Sequence, residues 1–294
     1  NNDALRSLDE KGVGVVVSVD CGIRSVAEAA FARAIGLDLI ITDHHHPGPE
    51  LPPALAVINP KRADSAYPFR ELAGVGVAYK LAQALVRARG SSFPVESLLD
   101  LVALGTVADL APLTGENRAL VRAGLRLLND PRREGLNSLY RAARVKPPIT
   151  ATTIGFTLGP RLNAAGRLDS ALAAYELLTT DQRAVAERLA GQLETQNRER
   201  QELTKATQIR AKELAVADDM IPLILLAADP QFNPGVGGVA GARLMDEFYR
   251  PALVAQIGAE ETRGSGRSIP EFHLTAALDE CADLLLRHGG HAAA

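Results

Sequence analysis

Two acidic residues and a run of histidines stand where chemistry could be done. Asp20 directly follows an apolar, β-branched run at 14–19 (GVVVSV), and Asp43-His44-His45-His46 directly follows a second such run at 37–42 (LDLIIT). Short β-branched runs of this kind read as buried parallel strands, and open α/β sheets place their sites at the carboxyl ends of such strands. Two successive strand ends would thus deliver carboxylates and imidazoles to one region. Mixed Asp/His ligation suits Mn²⁺ or a similar divalent ion, softer than an all-oxygen Mg²⁺ site and harder than a thiolate zinc site. Taken singly, Asp20 reads equally as a cap for the helix beginning near Ser25, and the histidines as a solvated turn before Pro47. Asp109 closes the apolar stretch 98–108, where it is either a helix-terminal turn residue or a third ligand.

Further along, Arg161, Asn163 and Arg167 sit in a Gly/Pro-punctuated segment, GPRLNAAGR, expected to be a loop. Its arginines either clamp phosphates bidentately or are surface charge around a tight turn. Ser265, Arg267 and Ser268 belong to GSGRS, which reads as a phosphate nest or a hairpin turn. Gly289-Gly290-His291 is ambiguous in the same way.

The elements that must position these residues alternate at first. Strand 14–19, helix 25–35 closed by Gly36, and strand 37–42 make a βαβ unit with a right-handed crossover, and 54–58 is a third strand. Helical patterns follow at 75–89, 95–106, 117–129 and 168–178. Residues 181–217 hold no proline and sparse apolar positions, which predicts a bridging helix about 50 Å long by the helical rise. Strand 223–227, helix 236–248, strand 252–257, a Gly/Ser loop and helix 274–287 then form a second, smaller α/β domain.

Composition bounds the whole. A chain of 294 residues that is 47% hydrophobic and 23% charged predicts about two soluble globular domains, neither disordered nor collagen-like. No apolar run reaches the ~18 residues of a membrane span, and no signal-peptide pattern opens the chain. Cys21 and Cys281 cannot make a disulfide framework, so a cytoplasmic location is expected. The net charge of −3 excludes a polycationic nucleic-acid binder but leaves local basic grooves open. Most of the 32 basic residues are arginine, which suits phosphate contacts and also an Arg- and Ala-rich composition from a GC-rich genome. With 5 Tyr, 7 Phe and no Trp, any base-stacking surface is small. The chain opens at Asn1 and closes on GGHAAA, so functional residues are expected outside it.

In combination and order, VDCG (19–22), TDHHHPG (42–48), INPKR (58–62), AGVGVAYK (73–80), GTVAD (105–109), GPRLNAAGR and GSGRS resemble the DHH phosphodiesterase superfamily, and within it the exonucleases specific for single-stranded DNA. The resemblance covers nearly the whole chain. It implies an α/β fold in which a parallel-sheet DHH domain (1–180) joins, through a long helix (181–217), a smaller α/β DHH-associated domain (218–294) that grips nucleic acid. It also implies 5′→3′ hydrolysis of single-stranded DNA in repair and recombination by a divalent metal pair, Mn²⁺ or Mg²⁺, that activates water and neutralises phosphate charge. Asp20, His44 and Asp109 would be metal ligands, His45 would sit near the scissile phosphate, and Asp43 would orient the histidines. Arg161, Asn163, Arg167, Ser265, Arg267, Ser268 and His291 would hold the strand. The implied partners are single-stranded DNA, a single-strand-binding protein and a helicase.

The chain departs from the family pattern in four places. An Asp-rich first motif is absent and is expected upstream. Phe232 and Asn233 stand where Trp-His is usual, the VAS-R segment reads VAGAR (239–243), and the Gly-Gly-His motif lacks its closing glycine. Two other readings are a DHH phosphodiesterase of oligoribonucleotides or nucleotides, and a catalytically inactive replication scaffold of the same fold. The intact Asp20, His44, His45 and Asp109 argue against the scaffold.

Overall fold

A computed structural model describes residues 1–168, 171–216, 221–290 and 293, with the side chains of Ala165, Arg167 and Leu168 outside that description. Two compact units are formed, Asn1–Pro160 with Leu177–Ala190, and Arg161–Glu176 with Gly191–Ala294.

The first unit opens with α1 (Asn2–Glu10), β1 (Val15–Val19), α2 (Val26–Ala34), β2 (Asp38–Thr42) and β3 (Ala56–Ile58). The sheet order is β1-β2-β3, all parallel, with Val15 opposite Asp38 and Val19 opposite Thr42. The βαβ expectation therefore holds, because the β-branched runs alternate with an Ala-rich helix that ends in left-handed Gly36. Leu5, Ala29 and Ala32 of α1 and α2 pack on Leu37, Leu39 and Ile41 to bury one face. Val15, Val17 and Val19 on the edge strand point out and are exposed.

Helices α3 (Gly74–Arg89), α4 (Leu99–Ala108), α5 (Gly115–Leu128) and α6 (Glu134–Ala143) follow, α4 entered through a 3₁₀ turn at Val95–Leu98. Tyr79, Val95 and Val102 form their second core cluster. Next come α7 (Ala151–Thr153), a π-turn at Ile154–Leu158, α8 (Gly159–Leu168) and α9 (Leu172–Thr179). GPRLNAAGR is thus helical, not a loop. Pro160 would drive its ring into the carbonyl four residues back; that residue, Phe156, lies in the π-turn, where the wider winding moves the carbonyl aside.

Helix α10 (Arg183–Ala215) has the expected length and belongs to the first unit up to Ala190 and to the second from Gly191. The second unit adds β4 (Leu225–Asp229), α11 (Pro234–Phe248), β5 (Ala252–Ile257), β6 (Thr262–Arg267) and α12 (Leu274–Glu280). β4 pairs parallel with β5, and β5 antiparallel with β6. GSGRS is therefore the end of a strand, neither nest nor turn. Gly266 answers crowding: a Cβ there would lie 2.5 Å from Leu274 Cδ2. Phe232 is buried in the core with Leu225, Leu244 and Val254, and Asn233 caps α11 by accepting the Gly235 N–H at 2.8 Å. Both departures from the family pattern thus have structural work. No helix among the described residues is long and apolar enough to cross a membrane.

Candidate metal centre

Three strand ends and one helix end build the site. The Asp20 N–H continues the β1–β2 ladder by donating to the Thr42 carbonyl at 2.9 Å, and the backbone then turns left-handed at φ 66°. That conformation is uncommon outside glycine, and Asp tolerates it better than most. Asp20 does not cap α2, whose N-cap is Ser25. Its carboxylate meets His44 instead, with Oδ1 3.0 Å from Nε2.

Asp43 extends β2 onto β3 by donating its N–H to Ile58 O at 3.0 Å. Its side chain is buried and serves as a hub. Oδ2 accepts the Ile23 N–H at 2.9 Å, while Oδ1 accepts the His44 N–H at 2.7 Å and the His45 N–H at 3.1 Å and lies 2.7 Å from His45 Nδ1. Burial pushes this carboxyl up, but those hydrogen bonds outweigh it and hold it below the ordinary carboxylate range. An ionised Asp43 fixes the proton on His45 Nδ1 and leaves Nε2 as a lone-pair donor. Asn59 locks the same turn, donating to His45 O at 2.9 Å and accepting the Lys61 N–H at 2.7 Å.

Asp109 is the C-cap of α4 and also reaches the cluster, its Oδ2 3.5 Å from His44 Nε2. Its reading as a helix-terminal residue holds, and its carboxylate stands beside His44. Leu110 follows in a left-handed conformation at φ 58°, and the Ala111 N–H returns to Thr106 O. The helix thus ends in a Schellman turn built on a residue poorly suited to it. His46 is exposed, and its carbonyl accepts from Arg24 Nε at 3.0 Å.

One ligand atom each from Asp20, His44 and His45 lie within 4.8 Å of one another. His44 Nε2 is buried, 3.0 Å from Asp20 Oδ1 and 3.5 Å from Asp109 Oδ2. An imidazole nitrogen converging with two carboxylates is a donor set that a divalent cation could share. The Asp20 carboxylate beside it raises the His44 imidazole above its ordinary range, with Asp109 adding and burial opposing. Burial raises the Asp109 carboxyl, and His44 pulls the other way. The donor set fits a hard-to-borderline divalent ion.

The remaining expected site residues lie in the second unit. Arg161 is mostly buried and donates from Nε to Glu194 Oε2 at 2.6 Å. Asn163 is exposed, and the Arg167 side chain lies outside the described residues. Ser265 and Arg267 alternate with the glycines of β6; Arg267 Nη2 would lie 2.8 Å from a Cβ on Gly238. Ser268 is buried, its hydroxyl donating to Phe272 O at 2.7 Å. His291 lies outside the described residues. The pattern of charged and catalytic residue types passed over Asn59, Gly74 and Asn117. INPKR and AGVGVAYK held the first two in view without assigning them a role.

A parallel sheet gathers Asp and His at consecutive strand ends, and a helix-end carboxylate stands beside the group. Residues 2–106 match the family described as "DHH family, N-terminal domain", and the chain belongs to the DHH family. Within it the chain is similar to the single-stranded-DNA-specific exonuclease RecJ of Bacillus subtilis, 44% identical over 99% of this chain and 37% of that protein. It is also similar to the crystal structure of RecJ in complex with Mn²⁺ from Thermus thermophilus, at TM-score 0.88 and 35% identity over 100% of this chain and 43% of that one. A crystal structure of exonuclease RecJ bound to manganese matches at TM-score 0.84 and 36% identity, over 99% of this chain and 72% of that one. The chain spans 37% of the length of the Bacillus relative.

Proposed function

We propose that this chain is the catalytic frame of a metal-dependent exonuclease that hydrolyses single-stranded DNA from its 5′ end in DNA repair and recombination. One observation carries the reading: the buried Nε2 of His44 converges with the Asp20 and Asp109 carboxylates, with His45 in the same group. Asp20, His44 and Asp109 would hold Mn²⁺ or Mg²⁺, as the manganese-bound relatives support. A bound ion of this class neutralises phosphodiester charge and lowers the pKa of water. His45 would sit near the scissile phosphate, and Asp43 would hold its ring. Arg161, Asn163, Arg167, Ser265, Arg267, Ser268 and His291 hold the strand. Arg161 does so as a member of a pair with Glu194, and Ser268 by shaping the backbone after β6.

In this reading residues 1–180 are the DHH domain, 181–217 the connecting helix and 218–294 the DHH-associated domain. The protein works in the cytoplasm beside a single-strand-binding protein and a helicase. The test is Mn²⁺-dependent digestion of a 5′-end-labelled single strand and of dinucleotides, with His44→Ala as control. Degradation of the long strand, lost in the variant, is expected. Preference for dinucleotides would make the chain an oligonucleotide phosphodiesterase, and cleavage unaffected by His44→Ala would overturn the metal assignment.

A further inference from the structure

The two carboxylates that flank His44 come from different elements, the end of β1 and the end of α4, and the first turn of α3 packs against Asp20 and against α4 at Gly105. A Cβ on Gly74, the first residue of α3, would overlap Asp20 Oδ1 outright and lie 2.8 Å from its Cγ and 3.2 Å from its Cβ. The three atoms nearest that position all belong to Asp20. The next residue, Val75, presses on α4: a Cβ on Gly105 would lie 2.8 Å from Val75 Cγ1 and 3.0 Å from Val75 Cβ. Gly105 is also the residue whose carbonyl accepts the Asp109 N–H at 2.9 Å. Two side-chain-free contacts therefore seat one helical turn between the Asp20 carboxylate and the stretch of α4 that ends in Asp109.

That turn is itself pinned. Asn117 of α5 is fully buried; its Oδ1 accepts the Ala73 N–H at 3.2 Å, and its Nδ2 donates to Glu71 O at 2.6 Å and to Pro112 O at 3.1 Å. One amide thus ties the entry of α3 to the loop that follows Asp109. We propose that the first turn of α3 sets the gap between Asp20 and Asp109, with Gly74 as its contact residue and Asn117 as its anchor. These are positioning residues for the metal centre and touch no ion or substrate themselves. The inference rests on the metal reading of Asp20 and Asp109, and it deepens that reading by explaining what holds their separation. The amino end of a 16-residue helix also favours a carboxylate at that place.

Gly74→Ala tests it with two readouts. Titration with Mn²⁺, followed by loss of the free-ion electron paramagnetic resonance signal, is expected to show at least tenfold weaker uptake than the wild-type chain. The melting temperature is expected to fall in the wild-type background and to rise in an Asp20→Gly background. There the colliding carboxylate is gone and alanine is the better helix former. A glycine with a merely structural role would shift melting in the same direction in both backgrounds, and that result overturns the proposal, as does unchanged Mn²⁺ uptake by Gly74→Ala. Should the wild-type chain take up no Mn²⁺, the metal reading fails by itself, and the sign of the two melting shifts still decides whether α3 bears on Asp20.

Discussion

His45 Nδ1 lies 2.7 Å from Asp43 Oδ1, and this contact decides which nitrogen of the ring faces the cluster. Asp43 also accepts three backbone N–H groups, so its carboxylate both shapes the turn and sets the histidine tautomer. Asp43→Asn would place an amide donor among those N–H donors. The expected loss is about 2 kcal/mol of stability, from buried donors left unsatisfied. Chemical denaturation of the metal-free chain measures it, and a loss within error of zero would deny Asp43 its role as hub.

Glu194 supplies the pH dependence. Burial raises its carboxyl, but hydrogen bonds from Arg161 and Arg198 outweigh that and hold it below the ordinary range. A carboxyl depressed on folding contributes stability above its unfolded pKa of about 4.3, and that contribution fades as pH falls through the lower folded value. Glu194→Gln is therefore expected to cost about 2 kcal/mol at pH 7, because the close, mostly buried ion pair with Arg161 is lost. The difference from wild type should shrink steadily below pH 4. A difference that stays constant into acid would place the stabilisation elsewhere.

Leu110 occupies the left-handed position of the turn that ends α4, and it is 87% exposed. Leu110→Gly removes steric strain without removing packing. The expected gain is about 0.5–1 kcal/mol after the entropy cost of glycine is subtracted. Thermal melting reads it directly, and a destabilised variant would show that the leucine side chain has contacts of its own.

Gly124 sets helix propensity against packing. In the middle of α5, alanine is favoured over glycine by about 1 kcal/mol. A Cβ there would overlap the Leu99 carbonyl and lie 2.6 Å from Ala103 Cβ, both in α4. Backbone cannot yield as a flexible side chain does, so Gly124→Ala is expected to cost a net ~2 kcal/mol or more. A stabilised variant would mean that α4 and α5 separate readily, in conflict with Asp109 held at a fixed place on α4.

How much of this was legible in the sequence differs by element. The βαβ unit and the strand-end placement of Asp20 and Asp43–His45 follow from β-branched runs broken by an Ala-rich helix, because period and composition agree there. Asp20, His44 and Asp109 also come together in space, with Asp109 capping α4 and its carboxylate 3.5 Å from His44. GPRLNAAGR and GSGRS depart from expectation for one reason: glycine and proline signal turns, yet here they sit inside regular elements. In the first, the π-turn carries the helix through Pro160; in the second, Gly266 makes room for Leu274. Gly74, Asn59 and Asn117 gave no signal, because their work lies in what a missing side chain permits or in which backbone groups one amide reaches. Neither is visible until distant segments meet.

Asp20, His44 and Asp109 are proposed to hold one divalent metal ion, with His45 beside it. The most direct measurement is Mn²⁺ titration of the chain, read by electron paramagnetic resonance, for wild type and His44→Ala, with circular dichroism confirming that both are folded. The account predicts Mn²⁺ uptake by the wild-type chain, weakened by about 100-fold or more in the variant, beyond the 10–100-fold typical of losing an outer-shell partner. Equal uptake by the two chains, or none by either, would contradict it.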